Sequence, residues 1–384
     1  MTARRIYDPL LITVYARLAG LYLFYFAALG AMIPYIGLYL AGAGYSAREI
    51  GILMALQVSA RIVAPNLLAW YADHIGRRMR IVRVAALMTC ICFVGMWGGT
   101  GFAWLVLVLA SWAFFFSAMM PQFEATALNH LGAQRYGGIR LWGSIGFIAS
   151  VAGVGPLLDK QGAEALLPVT LALLAGAFVF SLLVPERDHP DAQAPGQGLL
   201  SVLRRPEVLG LFAIGLFAQF AHGPYYAFFS LYLEGLGYTR TVIGQMWALG
   251  VVAEIVVFVL MGRLLARFRP VHLLAWSLGL SVVRWLLIAA FADKIAALAL
   301  AQTLHLASFG IFHAVSIGLV HRYFPGRLQG RGQALFSSLT FGVGTALGSL
   351  AAGYLWDGIS PPAVFIASAL SAALAFVLLV YRKA

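Results

Sequence analysis

The sequence predicts an all-α polytopic membrane protein in which twelve transmembrane helices form two six-helix bundles. Three observations support this prediction: the composition, the spacing of apolar runs and an internal repeat. Of 384 residues, 62% are hydrophobic and 10% are charged, whereas a soluble domain carries about 25% charged residues. Because so few charged side chains cannot cover a water-facing surface, the composition excludes a soluble protein.

Twelve apolar runs, separated by glycine, proline and charged residues, are each long enough to cross a membrane. About 20 helical residues span the ~30 Å hydrocarbon core of a bilayer. We expect the first run to act as its own insertion signal, because no cleavable signal peptide is recognised before it. The predicted spans are 18–41, 49–72, 81–98, 102–130, 138–158, 165–184, 207–233, 241–265, 271–291, 295–321, 331–355 and 361–381.

The distribution of lysine and arginine among the loops predicts the orientation. With the N-terminus inside, 20 of the 26 basic residues fall in cytoplasmic segments, and the loops of the opposite side hold Arg48, Lys160, Arg240 and Lys294. Since basic residues concentrate in cytoplasmic loops, we expect an inner (plasma) membrane protein with both termini in the cytoplasm. The net charge of +12 is then explained by membrane topology and not by a nucleic-acid surface.

The two halves of the chain are similar to each other at an offset of 193 residues. Residues 40–63 align with 233–256, and 12 of the 24 positions are identical, including glycine and tyrosine positions in a loop. A polar segment with four prolines, 185–207, has the composition of a linker. We therefore predict an N-terminal bundle over 1–185, a cytoplasmic linker over 186–206 and a C-terminal bundle over 207–384.

Two parallel six-span repeats resemble the architecture of the major facilitator superfamily, in which one half rocks against the other. The loop at 69–80, A-W-Y-A-D-H-I-G-R-R-M-R, is similar to the G-x-x-x-D-x-x-G-R-R loop of that superfamily, with Ala69 in place of the first glycine. The resemblance implies that Asp73, Arg77 and Arg78 lock the closed cytoplasmic side through ion pairs. The alternative is that these arginines only set the topology.

Ionisable residues within the spans are the functional candidates. A charged side chain at bilayer depth costs about 2.5–3.5 kcal/mol on insertion scales, so it has to face a partner or a wet cavity. The charged residues within or at the mouth of a predicted span, together with the intramembrane histidines, are Arg61, Glu124, Arg140, Glu254, Arg284, His222, His305 and His313.

The segment 140–146, R-L-W-G-S-I-G, resembles a segment of lactose permease in which the arginine and a fourth-helix glutamate face the sugar. Together with residues 304–314, it is more similar still to the phenylpropionate permease group. The resemblance covers nearly the full chain and implies that Glu124 and Arg140 form a pair that binds or gates the substrate. A structural salt bridge is the alternative.

The candidates for proton coupling lie in the C-terminal half. Glu254 is near the centre of the eighth span, where a carboxyl group is a candidate for reversible protonation, and its expected partners are Arg284, His305 and His313. Lactose permease similarly groups an eighth-span glutamate, a ninth-span arginine and a tenth-span histidine. Here no glutamate follows His313 on the tenth span, so the proton carrier is either Glu254 or a histidine.

In the major facilitator superfamily, spans one, four, seven and ten line the solute cavity. Polar and aromatic residues collect on these spans at helical spacing, and they favour an aromatic or amphipathic solute, unless they only pack the helices. Three intramembrane arginines against two glutamates also leave one positive charge, which a solute carboxylate would neutralise at Arg61 or Arg284. The substrate-binding candidates are Tyr22, Tyr25, Gln57, Arg61, Glu124, Arg140, Gln219, His222, Tyr226 and Phe309.

We therefore predict a monomeric secondary transporter that couples proton symport to a small organic solute by alternating access. The best candidate is an aromatic monocarboxylate such as phenylpropionate, and the alternatives are a proton-linked drug or metabolite exporter and a sugar or nucleoside symporter. The sequence contains no phosphate-binding loop, zinc spacing or nucleophile motif, so we expect no enzyme activity, cofactor or metal. The expected partners are the solute, protons and the lipid bilayer, and no nucleic acid.

Overall fold

The structure, a computed structural model, describes residues 9–186 and 199–381. The described residues form α-helices, short 3-10 turns and two π-helical segments, with no strand among them. The α-helices are α1 Pro9–Gly42, α2 Ala47–Ile75, α3 Arg78–Val94, α4 Phe102–Leu131, α5 Ala133–Gln161, α6 Leu166–Leu183, α7 Leu199–Leu203, α8 Pro206–Phe220, α9 Gly223–Gly235, α10 Arg240–Arg267, α11 Pro270–Phe291, α12 Ile295–Thr303, α13 Phe312–Tyr323, α14 Gln329–Ser337, α15 Thr345–Gly358 and α16 Pro361–Tyr381.

Twelve helical stretches of the described chain are long and apolar enough to cross a membrane, which confirms the predicted number of spans. The second and fourth spans begin at Ala47 and Phe102, and the eighth and tenth begin at Arg240 and Ile295. Both pairs of starting points differ by the same 193 residues as the sequence repeat. The seventh, tenth and eleventh spans, Pro206–Gly235, Ile295–Tyr323 and Gln329–Gly358, are each built from more than one helical segment.

By their contacts, the described residues divide into two compact units. Unit 1 contains the described residues of Met1–Ile36 and Val63–Gln193, and unit 2 contains those of Gly37–Ile62 and Ala194–Ala384. Unit 2 thus includes the end of α1 and the first half of α2. The predicted boundaries at 185 and 207 follow the sequence repeat, and they remain a prediction.

The helices of unit 1 are continuous although several contain proline. Pro34, Pro121 and Pro156 lie inside α1, α4 and α5, and membrane helices tolerate proline where neighbouring groups satisfy the freed backbone atoms. Gly146 of α5 lies so close to α1 that a Cβ atom at this position would be 2.2 Å from the carbonyl oxygen of Leu23. Small residues of this kind let membrane helices pack backbone against backbone.

Several helices of unit 2 are interrupted in the middle of a span. In the seventh span α8 ends at Phe220 and α9 begins at Gly223, and the tenth and eleventh spans contain the π-helical segments Leu306–Ile311 and Ser338–Gly344. Irregular backbone at membrane depth is tolerated only where it is buried in protein or lines a cavity, and π-helical turns are frequent at functional sites. These interruptions therefore point to the interior of unit 2.

Candidate functional site

Arg284 of α11 is fully buried inside unit 2. Its Nε donates a hydrogen bond to the carbonyl oxygen of Ala301 at 3.1 Å, and its Nη1 donates to Oγ of Ser308 at 2.9 Å. The guanidinium carbon lies 4.4 Å and 4.3 Å from the ring centroids of Tyr225 and Trp285, within the range of cation–π attraction. All of these partners are uncharged, so none of them neutralises the guanidinium charge.

Several buried polar atoms of unit 2 have no hydrogen-bond partner among the described residues. In native proteins such atoms are nearly always satisfied by protein, water or a ligand. Their grouping indicates a site for water or a polar solute. They include Nη2 of Arg284, Nε2 and Oε1 of Gln219, Nε2 of His222, Nε2 of Gln302 and Nδ1 of His305.

A histidine and a carboxylate lie in the same region as Arg284. Nε2 of His305 is 3.6 Å from Oε2 of Glu254, and their side chains are 7% and 19% exposed. The rings of His305 and His222 have centroids 6.2 Å apart. We call His222, Tyr225, Glu254, Arg284, Gln302 and His305 the Arg284 cluster. Within it, the carboxyl group of Glu254 is the more exposed member of a pair that can share a proton.

Three rings of the tenth span are stacked along the helix. The centroids of His305 and Phe309 are 5.4 Å apart with planes at 13°, and those of Phe309 and His313 are 5.7 Å apart with planes at 7°. In an α-helix of 3.6 residues per turn, side chains eight positions apart diverge by about 80°. The π-helical segment Leu306–Ile311 holds more residues per turn, and it therefore brings His313 into line with His305.

Unit 1 holds a second group of ionisable residues, which we call the Glu124 cluster: Tyr22, Glu124, Tyr136 and Arg140. The hydroxyl of Tyr136 donates a hydrogen bond to the carboxylate of Glu124, and the buried hydroxyl of Tyr22 faces the other three side chains. Between the described side chains of Glu124 and Arg140 there is no direct ion pair. The guanidinium of Arg140 instead lies over the ring of Phe26, 4.3 Å from its centroid.

Tyr136 is a site residue that the sequence reasoning missed. It precedes Arg140 by four residues on α5, and positions four apart lie on one helix face, so this spacing is the signal that could have found it.

The structure also gives a reason for a glycine in segment 140–146. A Cβ atom on Gly143 would lie 2.6 Å from the ring of Phe26 and 3.1 Å from Nη1 of Arg140, so glycine leaves the space in which ring and guanidinium meet.

Tyr22 and Tyr25 lie inside packed aromatic rings of unit 1, where they are 0% and 3% exposed. Tyr25 is stacked on Phe116 at 4.3 Å with planes at 4°, and Tyr22 meets the ring of Phe123 edge-on at 4.8 Å. Such contacts stabilise the packing of α1 against α4. The predicted role of the two tyrosines in substrate binding stays a prediction.

The remaining substrate-binding candidates lie in unit 2. Gln219 and Phe309 stand on the interrupted seventh and tenth spans. Gln57 and Arg61 belong to the part of α2 that unit 2 includes, and Arg61 is exposed. The hydroxyl of Tyr226 is within electrostatic range of Arg61, Glu254 and Arg284.

The predicted lock at the loop after the second span remains a prediction. Arg77 and Arg78 precede or begin α3, whereas the side chain of Asp73 lies outside the described part of the chain. The structure adds Glu186, whose carboxylate oxygens accept hydrogen bonds from the backbone N–H groups of Met79 at 2.9 Å and Arg80 at 3.0 Å. A carboxylate at a helix N-terminus is stabilising, so Glu186 holds the end of the sixth span to the start of α3.

The comparisons with known proteins identify the family. Residues 15–367 match the MFS_1 like family. The chain belongs to this family. It is therefore a multi-pass membrane transporter and not an enzyme. Over 347 residues it is 32% identical to the "Probable 3-phenylpropionic acid transporter" of Escherichia coli (strain K12), covering 88% of this chain and 89% of that protein. It is 29% identical to the "Maltose permease" of Geobacillus stearothermophilus, covering 90% and 88%.

Solved structures support the same fold for this MFS_1-like transporter. The nucleoside transporter NupG superposes with a TM-score of 0.82 at 19% identity, covering 97% of this chain and 99% of that chain. A bacterial homologue of the lysosomal transporter Spinster superposes with a TM-score of 0.68 at 16% identity, covering 98% and 96%. Within the described residues, no three His, Cys, Asp or Glu side chains are grouped as metal ligands.

Proposed function

We propose that this MFS_1-like transporter is a proton-coupled symporter of a small aromatic monocarboxylate such as phenylpropionate. The observation that supports this most directly is the buried guanidinium of Arg284, whose direct partners are uncharged and whose Nη2 has no hydrogen-bond partner among the described residues. A buried charge without a counter-charge is strongly destabilising. A solute carboxylate would supply both the counter-charge and the missing acceptor.

The surroundings of Arg284 also favour an aromatic acid. Tyr225 and Trp285 place two rings against the guanidinium, and Nε2 of Gln302 is a further buried donor without a partner in the described chain. Aromatic walls with a few oriented polar groups are typical of small-molecule sites. The relative at 32% identity is named for 3-phenylpropionic acid, which has this chemistry.

For the coupled proton we propose the pair of His305 and Glu254. The pair is within ion-pair distance at 3.6 Å, and ionisable residues inside transporter membranes mark proton relays. Protonation of the pair would add a positive charge to the region when the carboxylate brings a negative one. Glu124 and Arg140, with Tyr136 between them, are proposed to bind or gate the solute in unit 1.

A sugar symporter is the second candidate, because the relative at 29% identity is named a maltose permease. A sugar is uncharged and would leave the charge of Arg284 without a counter-ion. We also propose an inner membrane location, cytoplasmic termini, a monomeric state and import as the direction. Each of these rests on the charge pattern of the loops or on the family resemblance.

Reconstituted flux separates these functions. We expect purified protein in liposomes to take up labelled 3-phenylpropionate when the side of entry is more acidic, and to take up maltose and uridine much more slowly. Arg284→Gln should lower 3-phenylpropionate uptake at least about 100-fold, because breaking a buried charge interaction costs about 3–5 kcal/mol.

The matched control is Arg240→Gln, which removes an arginine from the partly exposed pair with Glu234 at 2.9 Å. Exposed ion pairs contribute about 0–1 kcal/mol, so this variant should transport nearly as well as the unmodified protein. Uptake that ignores the pH gradient would contradict symport. Uptake of maltose but not of the acid would favour the second candidate.

A further inference from the structure

A groove at one end of unit 2 is separate from the Arg284 cluster. It has a volume of about 490 Å³ and is formed by α8, α11, α13 and α16. Its lining is largely apolar, and its walls include Leu211, Ile214, Leu274, Leu319, Tyr323 and Leu379. A groove of this composition is suited to a hydrocarbon chain.

The groove lies where the spans leave the membrane. Helices α8 and α11 begin at Pro206 and Pro270, and α13 and α16 end at Tyr323 and Tyr381. Since successive spans alternate in direction, these four helix ends lie on the same side of the bilayer. A hydrocarbon chain in the groove would therefore carry its polar end at the level of the lipid headgroups.

Exposed arginines stand next to, or within two residues of, the residues that line the groove. Arg205 and Arg269 each directly precede the first residue of a helix that forms the groove, Arg322 directly precedes the lining residue Tyr323, and all three side chains are exposed. Glu207 is the acidic residue of the lining and the one acidic residue in the sequence at this end of unit 2. The arginines of the sequence at this end include Arg204, Arg205, Arg263, Arg267, Arg269, Arg322, Arg327 and Arg331.

A second groove, in unit 1, provides a comparison. It has a volume of about 290 Å³ and is lined by uncharged residues such as Leu23, Ala27, Ser150 and Leu157. An uncharged groove offers nothing that distinguishes one lipid headgroup from another. The groove of unit 2 has a largely apolar lining, and arginines stand beside its lining residues in the chain. Arginines close to an apolar groove between membrane helices favour an anionic headgroup.

We propose that the groove of unit 2 binds an anionic phospholipid. One acyl chain lies among the leucine side chains, and the phosphate headgroup is held by Arg205 and Arg269. A soluble phosphate compound would use the arginines but not the apolar lining, which is why the occupant is a lipid. This inference does not depend on which solute is transported.

Lipid binding can be measured on the full chain in detergent by native mass spectrometry. We expect phosphatidylglycerol to bind more tightly than phosphatidylcholine with the same acyl chains. The double variant Arg205→Gln/Arg269→Gln should weaken phosphatidylglycerol binding about 30-fold, because each arginine near an anionic headgroup contributes about 1 kcal/mol. It should leave phosphatidylcholine binding unchanged. Arg48→Gln/Arg240→Gln, which changes exposed or partly exposed arginines at the opposite end of the spans, is the matched control.

A second variant tests the apolar lining separately. Val271 lines the groove and is partly exposed, so Val271→Trp should fill the groove and weaken phosphatidylglycerol binding while all arginines remain. Thermal unfolding confirms that each variant is folded. If Val271→Trp does not fold, the Arg205→Gln/Arg269→Gln variant alone tests the proposal. The proposal would be overturned by equal binding of phosphatidylglycerol and phosphatidylcholine. It would also be overturned if Arg205→Gln/Arg269→Gln bound phosphatidylglycerol as tightly as the unmodified protein, or if inorganic phosphate displaced the lipid.

Discussion

The two ionisable clusters of this protein differ in how their charges are satisfied. In the Glu124 cluster of unit 1, the carboxylate accepts a hydrogen bond from Tyr136, and both Glu124 and Arg140 are partly exposed. In the Arg284 cluster of unit 2, the guanidinium is fully buried among uncharged partners. The difference teaches that the carboxylate of the first cluster has a hydrogen-bond donor within the protein, whereas the guanidinium of the second has only uncharged partners.

The two units also differ in the continuity of their membrane-spanning helices. The spans of unit 1 that carry the Glu124 cluster are continuous helices with internal prolines. In unit 2 the seventh and tenth spans are interrupted, and they carry His222, Tyr225, Gln302 and His305. Glu254 and Arg284 stand on the continuous helices α10 and α11. At the offset of 193, Trp112 corresponds to His305 and Ile91 corresponds to Arg284. The repeat thus preserves the spans, whereas His305 and Arg284 have no ionisable counterpart in the first half.

The largest expected effect is on proton-driven uptake, and it should differ between variants of Glu254 and Glu124. We expect Glu254→Gln to lower proton-driven uptake at least about 100-fold, because it removes the charged partner of His305 from a largely buried pair. Exchange of solute in the absence of a gradient should persist. Glu124→Gln should cost about tenfold or less, because the amide oxygen still accepts the hydrogen bond from Tyr136. Both rates are measured in proteoliposomes, and equal losses in the two variants would remove the functional distinction between the clusters.

A medium effect should appear at the interruption of the seventh span. A Cβ atom on Gly223 would lie 2.4 Å from the carbonyl oxygen of Thr345 and 2.5 Å from the backbone nitrogen of Ser349. Backbone atoms cannot move aside easily, so we expect Gly223→Ala to destabilise the protein by about 1–3 kcal/mol.

The matched control is Gly235→Ala at the other end of α9, where a Cβ atom would meet nothing within 4 Å. Thermal unfolding in detergent measures both variants. If Gly235→Ala lowered the unfolding temperature as much as Gly223→Ala, close packing at the interruption would not be the cause.

The smallest effect should come from Tyr136→Phe, which we compare with Tyr225→Phe. The Tyr225 hydroxyl donates to Oε1 of Gln302 at 2.9 Å inside the buried cluster, and its loss leaves a buried acceptor at a cost of about 1–3 kcal/mol. In Tyr136→Phe, water can reach the partly exposed Glu124 in place of the hydroxyl, so we expect about 1 kcal/mol or less. Unfolding in denaturant measures the difference, and its reversal would contradict the assignment of the Arg284 cluster as the drier site.

The spans could be predicted from the sequence because membrane insertion depends on local apolar content. The predicted start at residue 18 was late, since the first helical span begins at Ile12, where polar residues continue the helix. The interruption at His222 carries a weak sequence signal in the pair Gly223-Pro224. The π-helical segments at Leu306–Ile311 and Ser338–Gly344 had no such signal, because contacts with neighbouring helices hold them.

The sequence predicted that Glu254 lies near Arg284, His305 and His313, and in the structure Nε2 of His305 is 3.6 Å from Oε2 of Glu254. Other contacts of the candidate residues were not predicted. Glu124 and Arg140 were expected to form a pair that binds or gates the substrate. The structure places Tyr136 beside the carboxylate and Phe26 beside the guanidinium. Glu186 was not among the predicted residues, although a carboxylate just after the sixth span could have suggested a helix cap. These details depend on side chains that are distant in the chain and meet only on folding.

The sequence by itself determined the twelve spans, the repeat and the transporter family, because each depends on composition or order along the chain. It left open whether Arg61 or Arg284 neutralises the solute. In the structure the two arginines differ in burial, since Arg61 is exposed and Arg284 is fully buried, and this difference is why we propose Arg284. The desolvation of a charge depends on every group around it, and the groups around Arg284 come from the seventh, ninth and tenth spans. No local pattern along the chain carries that information.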